Sequence, residues 1–400
     1  MVVENHDKLP LNFKYVVSNA GLSRFGFSTF NIAILWVIMA ETRLPIMAGL
    51  GDGILSAPLF FSFIVGAIVD KSSRKRRIAL LSGTLRAVAI SSIYAALLVH
   101  NIPLALIAIY ATGFFIGFTS DILNSVRAVW FKEFLTENNY KKGNALDQSV
   151  LSLAEGAGYV TGSIFLDLGF QNTFLAVIFI FLISIIPVLM IRVSETSGPD
   201  HTDIINSTRE GLSFIRGSRP ITQLIYLMLA TNLIFGMLGV VFTALVQLHF
   251  KLPPHYAGLI FAILVFGIFI GSALSVNIKG RVGDILFSSL LLLGLLVTSV
   301  YFLNNIYLTL FPVFISGAIV GVLNVAVSTA MLKIVPVDMM ARVQGSFNTF
   351  GLGATAFAGM IGGSIVQVTG PLHSFLYLGA GVICISFLTL IFRELGSLQI

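Results

Sequence analysis

Long apolar runs broken by short polar loops make up the chain. Runs sufficient for a bilayer-crossing helix, about 20 apolar residues, lie at 13–40, 44–69, 78–99, 102–126, 144–166 and 172–191, and again at 221–248, 256–278, 285–303, 306–334, 343–368 and 372–393. None shows the period-two alternation over about 10 residues that a membrane-barrel strand requires. The pattern predicts an all-α polytopic membrane protein with 12 transmembrane helices. Composition removes the soluble alternatives. Apolar residues make up 56% of the chain and charged residues 10%, against roughly 25% charged in soluble proteins, and mean hydropathy is +0.94. A soluble enzyme, a nucleic-acid binder and a disulfide scaffold are excluded, and the lone Cys384 has no internal partner. The first run does not read as a cleavable signal, because its head, MVVENHDK, is mixed in charge and the run is too long.

Charge sets the orientation. With the N-terminus inside, 20 of the 24 Lys and Arg residues fall in cytoplasmic segments or span ends; Arg43 and Lys251 lie outside, and Arg24 and Arg86 within spans. The positive-inside rule then places both termini in the cytoplasm, as expected of a multi-pass plasma-membrane protein. These loops account for the pI of 9.4 without nucleic acid. A repeat is also visible. At a shift of 200, Lys142 matches Arg342, Ala145 matches Gly345, Gln148 matches Asn348 and Gly162 matches Gly362; at 204, Gly113 and Gly117 match Gly317 and Gly321. The expectation is two six-helix pseudo-symmetric bundles, 1–191 and 221–400, joined by a polar cytoplasmic linker at 192–220. Within the linker, Ser207-Thr208-Arg209-Glu210 reads as the capping box of a short amphipathic helix. Two similar bundles can rock about a central site and open it to each side in turn.

The loop between the second and third runs narrows the class. Gly66, Asp70, Lys71, Arg74 and Lys75 stand in the spacing Gly, three residues, Asp, a base, then a basic cluster. This resembles the loop signature of the major facilitator superfamily, with Ser73 in place of the usual second Gly. Ser56-Ala57-Pro58, Leu85-Arg86-Ala87, Arg127-Ala128 and Glu210-Gly211-Leu212 with Phe214 resemble the subgroup of enterobactin and macrolide exporters. The resemblance implies that Asp70 engages Arg127 and a helix N-terminus as a cytoplasmic gate. It also implies alternating-access transport without a cofactor. In the fifth run Gly158-Tyr159-Val160-Thr161-Gly162-Ser163 keeps both packing glycines of the family's antiporter signature and lacks its Pro. Drug–proton antiporters commonly carry an acid in the first helix, where this chain has Arg24.

Ionisable residues inside a bilayer are costly and functional by default. Five lie well inside the predicted spans: Arg24, Asp52, Arg86, Asp121 and Glu155, all in the first half. Arg24 and Glu155 each lie 11 residues from the inner end of their span, about 16 Å deep at 1.5 Å per residue, and are expected to meet near the midplane. Arg86, the more structural charge, is expected near Asp121. Asp147 reads as a first-turn carboxylate at the inner mouth of the fifth helix. Asp52, within Gly49-Leu50-Gly51-Asp52-Gly53, has no base at its depth and is the first candidate for proton coupling, ahead of Asp121 and Glu155. Arg24, Asn31, Glu155, Asn232, Gln247, Asn324 and Asn348 are the candidate cavity residues. The six His lack metal spacing, and the chain has no P-loop. The reading is a monomeric, proton-coupled multidrug-type exporter of small amphipathic solutes, drug or siderophore-like. Sodium coupling, a lipid or lysolipid flippase, an importer, and a non-transporting receptor or scaffold are the alternatives.

Overall fold

The computed structural model describes residues 9–192, 213, 217–275, 280–335 and 353–392. Every long apolar run in these segments is helical: α1 (Leu11–Thr42), α2 (Pro45–Ser56), α3 (Ser62–Lys71), α4 (Lys75–Leu98), α5 (Ile102–Phe134), α6 (Glu137–Asp167), α7 (Phe170–Met190), α8 (Arg219–Ala244), α9 (Pro254–Leu274), α10 (Val282–Ser299), α11 (Ile306–Ile334), α12 (Thr355–Thr369) and α13 (Pro371–Ile391). Among the described residues ten helices are long and apolar enough to cross a membrane, and Pro45–Phe61 and Thr355–Thr369 are shorter apolar helical segments. The linker capping box and Asn348 lie outside the described residues.

The second run is not one helix. A 3₁₀ segment, Ala57–Phe61, separates α2 from α3. Pro58 cannot donate to the carbonyl four residues back and its ring crowds that carbonyl, which weakens the α-helical ladder there. The break is packed against α5, where a Cβ on Gly117 would overlap the Leu55 carbonyl and lie 3.2 Å from the Pro58 ring. Elsewhere polar caps set the helix starts: the Asn101 side chain accepts from Leu104 N at 3.0 Å, and the Asn305 side chain from Tyr307 N at 2.8 Å. Gly169 (φ 110°) and Gly370 (φ 86°) make the turns from α6 to α7 and from α12 to α13, a backbone region that favours glycine.

Helices α1–α7 pack on one another, as do α8–α13, and the two groups meet mainly along α2 with α12 and α6 with α9. Both seams are tight at the end where α1 finishes and α2 begins, called here the far end. A Cβ on Gly53 would lie 2.5 Å from the Ala356 carbonyl, one on Gly363 2.5 Å from that of Pro45, and one on Gly258 2.6 Å from that of Tyr159. Helices with small residues at such crossings approach backbone to backbone. Burial follows the same division. Helix α1 is continuously buried from Ser28 to Met39, while Leu22 to Phe25 are part-exposed; α8 is buried from Val240 onward, while Thr231 to Gly236 are part-exposed. Among the described residues the central helices therefore border a cleft closed at the far end and open toward the near end, where α1 begins.

Candidate functional site

The floor of this cleft is made by α1 and α6. Gly158 and Gly162 remove two side chains from the α6 face toward α1. A Cβ on Gly158 would lie 2.5 Å from the Phe25 carbonyl, and one on Gly162 2.9 Å from that of Thr29. Thr29 Oγ1 uses the close approach, donating to the Phe25 carbonyl at 2.9 Å and the Gly158 carbonyl at 3.1 Å. One turn nearer the open end, Arg24 Nη2 donates to Glu155 Oε1 at 2.7 Å, and the guanidinium lies 5.7 Å from the Phe27 ring centre. The two side chains remain 41% and 24% exposed although both sit among helices, which makes the pair accessible from the cleft.

Asp52 is held at the opposite edge of α1. Its Oδ1 accepts from Asn31 Nδ2 at 3.0 Å. Its other neighbour is α12: a Cβ on Gly359 would lie 3.0 Å from Asp52 Cβ and 3.1 Å from its Oδ2. The carboxylate thus lies in the α2–α12 seam. Gly49 and Gly53 face α12, whereas Gly51 packs under Ile38.

Arg86 and Asp121 do not pair, contrary to the expectation from their depths. Arg86 is fully buried; its Nε donates to Thr119 Oγ1 at 2.8 Å, its Nη2 to Ser120 Oγ at 2.9 Å, and its guanidinium lies 5.1 Å from the Phe181 ring centre. Each helical residue turns the side-chain direction by about 100°, so Asp121 faces α3 instead and accepts from Ser62 Oγ at 2.6 Å. Its Oδ2 is buried with no hydrogen-bond partner among the described residues.

The basic loop is only partly visible. The side chains of Asp70 and Lys71 lie outside the described residues. Gly66 faces Ser125, Arg74 is exposed, and Lys75 Nζ donates to the Ser72 carbonyl at 2.8 Å. Arg127 Nη1 lies 3.7 Å from Asp147 Oδ2. Asp147 is not a first-turn residue: α6 starts at Glu137, seven residues before the predicted run, so Asp147 is about three turns in and faces α5. Arg76, absent from the expected set, donates to the Val188 and Leu189 carbonyls at 3.3 and 2.5 Å and so caps the C-terminal end of α7.

The second group contributes fewer of its expected residues to the cleft. Asn232 on α8 is part-buried and Asn324 on α11 exposed. Gln247 sits at the far end in a π-helical segment, Leu245–His249, and its Nε2 donates to the Trp36 carbonyl at 3.4 Å. It belongs to the contact between α1 and the end of α8. At the far rim, His255 at the start of α9 and Asp167 at the end of α6 are joined by a 2.6 Å hydrogen bond between Nδ1 and Oδ2. Its only sequence signal was the position of both residues at helix ends facing the same side.

A one-sided cleft between two helix groups, with ionisable groups in its floor and seams, is the architecture of a multi-pass membrane transporter. The family model of the Major Facilitator Superfamily matches residues 16–359. The chain belongs to that superfamily and is a transporter, not an enzyme. Along 93% of its length, and 89% of the relative's, it is 25% identical to an uncharacterised MFS-type transporter, YkuC of Bacillus subtilis (strain 168). A POT family transporter solved with 5-aminolevulinic acid superposes with a TM-score of 0.80 at 12% identity, covering 96% of this chain and 97% of that one. The nucleoside transporter NupG superposes at 0.73 with 13% identity, covering 96% of this chain and 100% of that one. The human organic anion transporter MFSD10 gives 0.66 at 13% identity, covering 95% and 99%. At these identities the solved structures speak to the fold alone.

Proposed function

We propose that the chain is a secondary active transporter working by alternating access. It has 12 transmembrane helices in two six-helix bundles, 1–191 and 221–400, with both termini and the 192–220 linker in the cytoplasm. It acts as a monomer. Its solutes are small amphipathic organic compounds of the drug or siderophore-like kind, and it exports them in exchange for protons. The observation that carries this reading is the Arg24–Glu155 pair, 2.7 Å long and part-exposed among the central helices. A scaffold has no use for an ion pair kept in the path of solvent, since such groups cost stability inside a bilayer. The matched turns at Gly169 and Gly370 and the two glycine-rich seams support two equivalent bundles. Export follows from the subgroup resemblance.

Proton coupling rests on Asp52. Its seam must part for the far end to open, and parting it brings outside water to the carboxylate. Asp121 and Glu155 are the further acids of this pathway. In this reading Gly66, Asp70, Lys71, Arg74, Lys75 and Arg127 make the cytoplasmic gate. The test is uptake into proteoliposomes whose protein faces cytoplasmic side out, using a panel of amphipathic drugs and siderophores. Accumulation that requires an acidic lumen is expected. Accumulation driven by sodium, or indifferent to any gradient, would overturn the coupling.

A further inference from the structure

Among the described residues of the α2–α12 seam, the rings of Phe60 and Phe357 meet edge to face beyond Gly53, 5.6 Å between centres. In the α6–α9 seam the last ring contact is Tyr159 on Phe261, 4.8 Å between centres. One turn further Gly156 brings no side chain, and a Cβ there would only reach van der Waals distance, 3.7 Å, from Val265. The unfilled space is a cleft of about 250 Å³ lined chiefly by Leu153, Gly156, Val160, Val265, Phe266 and Phe269, with Ser152 its polar member. Leu153 and Phe266 are exposed along it. The same turn of α6 carries Glu155, about 100° around the helix from Gly156 and on the side toward Arg24.

We propose that this groove holds the hydrocarbon chain of a single-chain zwitterionic amphiphile whose headgroup lies on Arg24 and Glu155. The inference rests on the transport reading and narrows its substrate class. A ligand of one charge would satisfy one member of the pair and leave the other poorly compensated at low dielectric. A zwitterion satisfies both, its anionic group on the Arg24 guanidinium and its cationic group on the Glu155 carboxylate. A groove of about 250 Å³ has room for one such chain. The solute reaches the site from the bilayer, its chain sliding past Gly156.

The experiment follows thermal unfolding of the full-length protein in maltoside micelles by tryptophan fluorescence. The probes are alkylphosphocholines of increasing chain length below their micellar concentrations, with decyl sulfate and decyltrimethylammonium as single-charge controls. A ligand that binds only the folded state raises Tm with its concentration. The expected result is tighter binding with each added methylene, by up to about fourfold, and preference for phosphocholine over either control. Ala157 on α6 and Ala262 on α9 also line the groove, and Ala157→Phe and Ala262→Phe should each remove the chain-length dependence while keeping binding of short phosphocholines. Arg24→Gln with Glu155→Gln should remove the headgroup preference and keep the chain-length dependence. Independently of any variant, a phosphocholine with a diazirine at its chain end should label 153–160 and 262–269 in the native protein. Equal binding of all three headgroups, chain-length dependence unchanged in both groove variants, or labelling confined to other helices would each overturn the proposal. Chain-dependent binding without movement of any solute would leave the groove standing and remove the transport reading. Transport of zwitterions indifferent to chain length would do the reverse.

Discussion

Asn31 donates its side-chain amide to Asp52 across 3.0 Å, and the carboxylate it holds lies against Gly359 of the neighbouring helix group. One side chain of the central helix thus positions an acid in the seam that must part for the far end to open. A proton arriving at Asp52 and the separation of α2 from α12 are then linked events: whichever state gives the carboxylate water favours its ionised form.

Asp52→Asn is expected to abolish gradient-driven accumulation while leaving solute exchange at matched pH within about twofold of normal. Asparagine keeps the shape and still accepts from Asn31 through its carbonyl oxygen, but carries no proton. Both assays on the same proteoliposome preparation check this. Undiminished accumulation in the variant would make Asp52 a packing residue.

Arg24→Gln and Glu155→Gln should each destabilise the protein by about 1–2 kcal/mol. This is less than the 3–5 kcal/mol of a fully buried pair because solvent in the cleft screens both charges. The double variant should lose less than the sum of the two. Tm values from all four proteins measure the coupling directly, and strictly additive losses would contradict the pairing.

Gly158→Ala should cost about 1–3 kcal/mol, because its Cβ would lie 2.5 Å from the backbone carbonyl of Phe25 and force α1 away from α6. Gly156→Ala should cost little, since the nearest atom is 3.7 Å off. The contrast between two glycines half a turn apart, read as Tm, checks the α1–α6 contact.

Arg86→Met should change stability by less than about 1.5 kcal/mol and leave transport intact. Among the described residues the guanidinium meets no carboxylate, and Thr119 and Ser120 also donate to their own helix backbone, at 2.7 Å to Phe115 O and 2.7 Å to Ile116 O. A loss of transport in a well-folded Arg86→Met protein would give this charge a role outside packing.

What the chain disclosed of itself before its structure was the periodic part. Apolar run lengths placed the helices, and counting 1.5 Å per residue from span ends brought Arg24 and Glu155 to one depth. Depth says nothing of direction around the helix axis, so it could not tell that Arg86 meets Thr119 and Ser120 while Asp121 turns toward Ser62. The polar stretch from Glu137 to Gly143 read as a loop because hydropathy marks where lipid begins, not where a helix does; α6 starts in it, which carried Asp147 to Arg127. Pro58 was visible but lay inside an unbroken apolar run, and only packing against Gly117 decides that the ladder breaks there. The position of Asp52 against Gly359 joins residues more than 300 apart and had no local signal.

Alternating access itself is tested most directly at the far rim, where Asp167 and His255 join α6 to α9 across a 2.6 Å hydrogen bond. In a Cys384→Ser background, the pair Asp167→Cys with His255→Cys can be oxidised to a disulfide across the seam and reduced again. The account predicts that oxidation holds the far end shut and brings solute transport down to the level of empty liposomes, and that reductant restores it. Transport at the full rate with the cross-link quantitatively formed would contradict it.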